Sequence, residues 1–261
     1  MSAKRRLVVA NWKMYISTPE EAKKFASLLR RKAKAFAGVD AVIAPSFTLL
    51  PLVSLACKDS PIKTSAQSVS VFETGAHTGE VGAQMVKSFG ASYSIVGHSE
   101  RRAQGETDEM VCAQLGHAAS AGLIPILCIG ESERDLGGAY LGLVAGQLRD
   151  ALKKFPAGKT GVKTSAAPKL VIAYEPLWAI GKTADDAMKP SDVREMSIFI
   201  KKTLAEHFDR TAALKVPILY GGSVEPSNAG SLIEEGDING FLVGHASAEI
   251  DSFVEILKAC K

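Results

Sequence analysis

Three stretches of the sequence place polar side chains at or just after the ends of apolar runs that are typical of β-strands. Asn11 and Lys13 continue the alternating row of the first run, and His98 follows a run at 92–97. Glu175 follows a third run at 169–174. A carboxylate, an imidazole and an ammonium group together suit the removal of a proton from a carbon next to a carbonyl group. Glu175 would be the base, and the two other groups would stabilise the enediolate oxygens.

Other classes of chemistry lack matching residues. No serine or cysteine stands in a recognisable nucleophile motif, and no pair of acids suggests glycoside cleavage. The four cysteines have no C-x-x-C spacing and the five histidines form no H-x-x-x-H pair, so neither a metal site nor a disulfide framework is expected. Reduced thiols in a cytoplasmic protein are the expectation.

Gly181-Lys182-Thr183 resembles the end of a nucleotide-binding P-loop. The full motif, G-x-x-x-x-G-K-[ST], requires a glycine five residues before Gly181, and Pro176 occupies that position. The strict motif therefore fails, and the segment is better explained as a cover over the strand-end carboxylate.

The composition limits the size of the hydrophobic core and the kinds of molecule that the protein is expected to bind. The chain has 261 residues, 46% hydrophobic and 23% charged, which is enough for one large core or two small ones. A net charge of +3 is too small to favour nucleic acid, although it would not repel a phosphorylated metabolite. The sequence has no signal-peptide core and no apolar run that approaches a membrane span, so no membrane partner is expected.

Strand-like runs and amphipathic helical patterns alternate along the chain. The predicted strands lie at 6–11, 39–44, 61–66, 92–97, 123–129, 169–174, 216–220 and 239–243. The clearest helical patterns lie at 19–37, 107–121, 140–155, 191–208 and 246–260. Eight units of about 33 residues match a (β/α)8 barrel, whereas a doubly wound sheet of this length usually has fewer strands. We therefore predict one barrel domain over residues 1–261.

Local signals mark some boundaries of these elements. Thr18 is predicted to cap the first helix, with Pro19 at its first position and Glu21 completing a capping box. Thr107 and Ser191 are further N-cap candidates. The polar segment 157–168 is predicted to be a solvated loop on the N-terminal face of the barrel.

In such a barrel the carboxyl ends of all strands meet on one rim, where active sites form. The last two strands end in glycine-bearing turns, Gly221-Gly222-Ser223 and Gly244-His245. Turns of this kind that lead into helices present unpaired N–H groups that suit a phosphate dianion. Each polar group taken alone also fits a surface residue, a cap or a turn, but their convergence on one rim favours a site.

Seven segments, in the same order and with the same spacing, resemble the triosephosphate isomerase family along essentially the whole chain. They are V-A-N-W-K-M at 9–14, T-G-E at 78–80, V-G-H-S-E-R-R at 96–102, C-I-G-E at 128–131, Y-E-P-L-W-A-I-G at 174–181, Y-G-G-S-V at 220–224 and G-F-L-V-G at 240–244. The resemblance implies a TIM barrel that interconverts dihydroxyacetone phosphate and D-glyceraldehyde 3-phosphate without a cofactor.

The resemblance also implies roles for individual residues. Glu175 would be the base and His98 the electrophile, while Asn11 and Lys13 would contact the substrate. Two neighbours of His98 would support these residues. Glu100 would be the partner of Lys13, and Ser99 would hold Glu175 in the open state. Because His98 precedes a predicted helix, the helix dipole should disfavour its imidazolium form.

The phosphate group would bind backbone N–H groups of four residues, Gly181, Ser223, Gly244 and His245. Closure of the lid that follows Glu175 would bring Ile180 and Leu242 over the base and strip water from it. The resemblance further implies a homodimer in which the loop at 68–80 reaches into a neighbour, with Met14 and Thr78 near the contact.

Two positions depart from the family pattern. The lid runs from Gly181 directly into Lys182-Thr183-Ala184, so either its tip is shorter or its rear hinge has moved into 185–189, which we favour. His245 replaces a glycine that is common in the family; it would cost stability if its φ were positive, or it could add a cation near the phosphate. A non-catalytic phosphosugar-binding barrel and a different phosphosugar enzyme on this fold remain as alternatives.

Overall fold

The computed structural model of the chain describes residues 6–155, 168–181 and 187–261. Eight parallel strands form a closed barrel in sequence order, and β1 pairs with β8 to complete it. The strands are β1 Arg6–Asn11, β2 Val39–Ala44, β3 Lys63–Ala66, β4 Tyr93–Val96, β5 Ile124–Ile129, β6 Val171–Tyr174, β7 Ile218–Tyr220 and β8 Gly240–Val243. All eight predicted strands are therefore confirmed, with ends that differ by two residues at most.

Helices lie between the strands. They are α1 Pro19–Lys32, α2 Leu50–Ala56, α3 Ala83–Ser88, α4 Ser99–Ala103, α5 Asp108–Ser120, α6 Ala139–Leu152, α7 Pro190–His207, α8 Arg210–Ala213, α9 Ala229–Glu235 and α10 Ile250–Ala259. Short 3-10 turns follow α1 at Ala33–Phe36, follow β6 at Leu177–Ala179 and precede α10 at His245–Ala248.

The five predicted helices are present, whereas α2, α3, α4, α8 and α9 were not assigned boundaries from the sequence. These five helices have between four and seven residues. A helix of one or two turns shows too few repeats for the 3.6-residue period to be recognised. The predicted helix at 19–37 is also shorter than expected, because its last residues form the 3-10 turn Ala33–Phe36.

Two of the three predicted N-caps are confirmed. The Thr18 side chain accepts from the Glu21 N–H in a capping box, and the Thr107 side chain accepts from the Met110 N–H. The prediction for Ser191 is wrong, because α7 begins one residue earlier with Pro190 in the first turn and Lys189 at the cap. Residues 157–167 of the predicted N-terminal loop lie outside the described residues.

The barrel has an inner and an outer apolar layer. The interior holds alternate strand residues, including Leu7 and Val9 of β1, and Leu242 of β8. The other strand residues pack against the helices in a larger outer core. Asn11, the last residue of β1, follows the inward-facing Leu7 and Val9 in this alternation and is 4% exposed. A polar side chain therefore lies at the C-terminal rim, as predicted. No helix within the described ranges is both long and apolar enough to span a membrane.

Candidate active site

A cavity of about 220 Å³ opens at the carboxyl ends of the strands. Ten of the twelve side chains and turns predicted for the site line it: Asn11, Lys13, His98, Glu175, Ile180, Gly181, Ser223, Leu242, Gly244 and His245. The other two, Ser99 and Glu100, contact residues of this set. Closure of the barrel therefore brings the predicted residues together from five different strand ends.

Glu175 lies at the base of this cavity with 2% of its surface exposed. One carboxylate oxygen, Oε2, accepts a hydrogen bond of 2.9 Å from the Ser99 backbone N–H. The other, Oε1, lies 3.2 Å from Nε2 of His98. The Glu175 backbone N–H donates to the carbonyl oxygen of Ile129 at 2.8 Å, which anchors the residue just beyond β6. Both carboxylate oxygens and the backbone N–H of Glu175 thus have partners.

Two glycines allow the neighbouring strands to approach Glu175. A Cβ atom at Gly130, after β5, would overlap the Glu175 carbonyl oxygen. A Cβ atom at Gly221, after β7, would lie 2.9 Å from the Glu175 Cγ atom. Both glycines belong to the segments that resemble the family, but only the packing shows that the base needs these positions free of side chains.

The His98 ring is oriented by a hydrogen bond to its Nδ1 atom. It occupies the N-cap of α4, and its Nδ1 atom accepts a hydrogen bond of 3.2 Å from the Glu100 backbone N–H. A nitrogen that accepts a hydrogen bond carries no proton, so the proton of the neutral ring is on Nε2. That Nε2–H group faces Glu175 and the cavity. The helix expected after His98 is confirmed.

Lys13 follows β1 in a left-handed backbone conformation, with φ of 46°. Its backbone N–H donates to Oδ1 of Asn11 at 3.2 Å, and its Nζ atom lies 2.7 Å from Oε1 of Glu100. The amide of Gln67, a residue that the sequence analysis missed, donates to the carbonyl oxygens of Lys13 and Ala44. The Gln67 side chain therefore helps to hold this unfavourable backbone conformation, while Glu100 of α4 holds the ammonium group.

The phosphate-binding candidates line the same cavity. Gly181 has φ of 70°, a conformation that suits glycine. The N–H and the hydroxyl group of Ser223 both donate to the Ala179 carbonyl oxygen, at 3.2 and 2.9 Å. His245 is exposed and its φ is not in the positive range, so the strain considered for this position does not arise.

A buried network next to the site was not recognised from the sequence. Oε1 of Glu131 accepts hydrogen bonds from Tyr174 at 2.7 Å, from Trp178 at 3.0 Å and from Arg134 at 3.0 Å. Burial and the Glu131 charge raise the pKa of Tyr174 well above its ordinary value, so its hydroxyl remains a donor. C-I-G-E at 128–131 was a visible signal, but the role of its glutamate depends on residues more than 40 positions away.

The rear part of the lid is only partly described. Lys182 to Asp186, which include most of the predicted departure from the family pattern, lie outside the described residues. Beyond them, Met188 is buried with 3% exposure and Lys189 caps α7. The prediction of a rear hinge at 185–189 therefore stays a prediction.

No group of three metal-binding side chains occurs among the residues that the structure describes. All four cysteines are unpaired and buried. Burial raises the pKa of Cys57 to about 11 and that of Cys260 to about 12, against the smaller opposing effects of Arg30 and Arg6.

A protein-family model described as triosephosphate isomerase matches residues 6–260, and so includes every element of the barrel and every residue of the cavity. The chain belongs to the triosephosphate isomerase family. Among its curated relatives, the protein named triosephosphate isomerase from Carboxydothermus hydrogenoformans is 42% identical over 260 residues, and the match covers 98% of both chains. The protein of the same name from Thermus thermophilus is 40% identical over 258 residues, again with 98% of both chains covered.

A third triosephosphate isomerase, from Moorella thermoacetica, is 42% identical over 259 residues, which cover 97% of this chain and 98% of the relative. These matches extend over the whole barrel rather than over one motif. Membership of the triosephosphate isomerase family therefore rests on the full set of strands and loops that form the cavity.

Proposed function

We propose that this member of the triosephosphate isomerase family interconverts dihydroxyacetone phosphate and D-glyceraldehyde 3-phosphate, a step of glycolysis and gluconeogenesis. The observation that carries the proposal is the arrangement of Glu175 and His98. A buried carboxylate lies 3.2 Å from an imidazole nitrogen whose proton faces the same cavity. Simple binding of a phosphosugar would not require a base at this place.

In the proposed reaction Glu175 acts as the base. Its carboxylate exchanges the contact with the Ser99 N–H for a position over the substrate and removes the proton from C1 of dihydroxyacetone phosphate. The electrons of the broken C–H bond form the enediolate double bond. The Nε2 atom of His98 passes its proton to O2 and takes the proton of the O1 hydroxyl, which moves the negative charge to O1. Glu175 then returns its proton to C2, which gives the aldehyde at C1 and restores the carboxylate. These proton transfers require no cofactor.

His98 and Lys13 are proposed to stabilise the charge that develops on the substrate oxygens. The Nε2–H group of His98 donates to the carbonyl oxygen as it becomes an enediolate oxygen. The Lys13 ammonium supplies a positive charge from the other side, and Asn11 donates from the inner wall. The ion pair with Glu100, at 2.7 Å, holds the flexible lysine at the rim before the substrate arrives.

The phosphate group is proposed to bind the amides of Gly181, Ser223, Gly244 and His245. The Ser223 amide donates to the Ala179 carbonyl oxygen before the substrate binds. The phosphate oxygens would take the place of the Ala179 carbonyl oxygen as acceptor. This would free the turn Leu177–Ala179 from Ser223, so that substrate binding and lid movement are linked. Pro176 to Trp178 would form the front hinge, and Ile180 and Leu242 would exclude water from Glu175 in the closed state.

A steady-state assay coupled to oxidation of a nicotinamide cofactor by a second enzyme tests the proposal with purified protein. Wild type should convert D-glyceraldehyde 3-phosphate, and Glu175→Gln should reduce kcat by roughly 10²–10⁴-fold because the general base is lost. Glu195→Gln, on the exposed surface of α7, is the matched control and should retain full activity.

Three other outcomes would each contradict a part of the proposal. Equal turnover in Glu175→Gln and wild type would exclude Glu175 as the base. Binding of 2-phosphoglycolate without any turnover would indicate a non-catalytic phosphosugar-binding barrel. Conversion of a different phosphorylated ketose in preference to the triose would indicate another enzyme on the same fold.

We also propose that the enzyme is a cytoplasmic homodimer. Two large apolar side chains are exposed, with 90% of Met14 and 43% of Phe72 accessible. Phe72 stacks on His77 within the loop at 68–80, their ring centroids 3.5 Å apart, so the exposed loop has an ordered surface. The unpaired cysteines suit a reducing compartment.

Sedimentation equilibrium tests the dimer. Wild type should have twice the mass of one chain, and Met14→Glu should shift the equilibrium toward the monomer, because a charge would be buried in the contact. Leu214→Glu, at another exposed apolar position, is the control and should leave the mass unchanged. A wild-type protein with the mass of one chain at all concentrations would rule the dimer out.

A further inference from the structure

His245 lies where the active-site cavity meets a second groove on the outer surface. It lines the cavity together with Lys13 and Gly244, and it lines the groove together with Tyr15 and residues of α1. Its ring makes an edge contact with Tyr15, with centroids 5.3 Å apart at an angle of 87°. This contact holds the imidazole at the mouth of the cavity, at the end where the phosphate group is proposed to bind.

The imidazole nitrogens of His245 are available to a ligand. Neither nitrogen has a hydrogen bond or ion-pair partner among the described residues, in contrast to His98, whose ring is held on both sides. Gly244, the preceding residue, lies against Lys13: a Cβ atom at Gly244 would be 3.5 Å from the lysine Nζ. His245 also lines the same cavity as Lys13, which already supplies one cation.

Carboxylates outnumber ammonium groups around His245. The ionisable groups that line the cavity or the groove together with His245 are Lys13, Tyr15, Glu21, Lys24, His98, Glu175, Glu225 and Glu249. Ordinary ammonium and carboxylate groups keep their charge between about pH 6 and 8.5, whereas an imidazole does not. A positive charge at the cavity mouth thus varies with pH mainly through imidazole, and His98 is the other imidazole in the cavity.

This inference rests on the phosphate site of the proposed function. We propose that the His245 side chain is itself a phosphate ligand, whose imidazolium form adds a second cation to the backbone amides and strengthens anion binding as the pH falls. In the family pattern this position contributes only an N–H group. The alternative is that the ring only packs on Tyr15 and fixes the loop after β1.

Direct binding of inorganic sulfate tests the proposal, since sulfate stays a dianion over the whole range. Titration calorimetry of wild type and His245→Gln at about pH 6 and about pH 8.5 should show tighter binding by wild type at the lower pH, roughly three- to tenfold, and similar affinities at the higher pH. His98 is present in both proteins, so any effect of its ring is common to the two measurements.

Two further variants sharpen the result. His245→Lys should bind sulfate at the higher pH as tightly as wild type does at the lower pH, because its charge is fixed. His207→Gln, at the far end of α7, should keep the wild-type pH dependence. If His245→Gln and wild type show the same affinities at both pH values, or if the lysine variant gains nothing, the imidazole is not a phosphate ligand.

Turnover provides a separate readout. The KM for D-glyceraldehyde 3-phosphate should rise in His245→Gln relative to wild type at the lower pH only, while the effect on kcat is smaller. Absence of turnover with a His245-dependent sulfate affinity would reject the proposed function and keep this inference. Normal turnover with identical sulfate and KM profiles would reject this inference and keep the proposed function.

Discussion

At the scale of single residues, the site depends on how closely backbone atoms approach Glu175. Its carboxylate is held by the Ser99 N–H and by His98, and its Cγ atom lies against the backbone of Gly221. A base that removes a proton from carbon must be placed within a fraction of an ångström, because misplacement by 1 Å can cost about 10²-fold in rate. The glycine therefore helps to position the carboxylate it borders.

Gly221→Ala should reduce kcat by roughly 10–100-fold, because the new Cβ atom would lie 2.9 Å from the Glu175 Cγ atom and displace the base. The coupled isomerase assay measures this loss. Gly116→Ala in α5 is the matched control, since a Cβ atom there meets nothing within 4 Å and alanine favours a helix. Full activity in the Gly221 variant would show that Glu175 tolerates the displacement.

At the scale of elements, the loops after β5 and β6 are joined by one carboxylate oxygen. Glu131 follows β5, while Tyr174 and Trp178 lie at the end of β6 and in the turn Leu177–Ala179. Arg134 forms an ion pair with the same oxygen, and its guanidinium carbon lies 5.4 Å from the Trp178 ring centroid. The turn that would begin the lid is therefore held at its front end by a network on the adjacent loop.

Glu131→Gln should lower the free energy of unfolding by about 2–4 kcal/mol, because the half-buried Arg134 loses its counter-charge in a nearly dry site. It should also lower kcat/KM, since the front of the lid is less well positioned. Denaturant titration and the coupled assay measure the two effects. Trp178→Phe separates them, because it removes one donor and leaves the ion pair. Unchanged stability in Glu131→Gln would show that the network contributes little.

At the scale of the whole molecule, closure of the barrel places ionisable groups in surroundings without water. The Cys57 and Cys260 thiols have pKa values of about 11 and about 12 because burial disfavours the thiolate. Burial likewise raises the pKa of Tyr220 to about 12. As the pH rises, the unfolded chain loses these protons at a lower pH than the folded protein does. Above about pH 9 the folded state therefore binds more protons than the unfolded state.

Stability should therefore be full below about pH 9 and fall as the pH rises toward 11, with Cys57 alone accounting for about 3 kcal/mol. Denaturant titrations at intervals across this range measure the slope. Cys57→Ala loses some packing at every pH, but its slope should be shallower than that of wild type. Parallel slopes in the two proteins would show that Cys57 is not responsible for the loss.

The order and type of the major elements, and the polar residues at the strand ends, were determined by the sequence itself. Alternation along a strand and the 3.6-residue period of long helices are local properties, so all eight strands and the five longest helices could be predicted. The rule that strand ends of a barrel share one rim then placed Asn11, Lys13, His98 and Glu175 in one site. The short helices were missed because two turns give too weak a pattern.

Only the tertiary structure decided several of the contacts around the site. The contact between Ser99 and Glu175 was expected from the family resemblance. The hydrogen bonds from Tyr174 to Glu131 and from Gln67 to Lys13 were not, and they join residues 43 and 54 positions apart. Such contacts depend on the register of neighbouring strands and on side-chain rotamers, which no local pattern encodes. The same holds for His245. The sequence could not show whether its φ is positive, and in the folded chain it is not. The imidazole instead packs against Tyr15 at the mouth of the cavity.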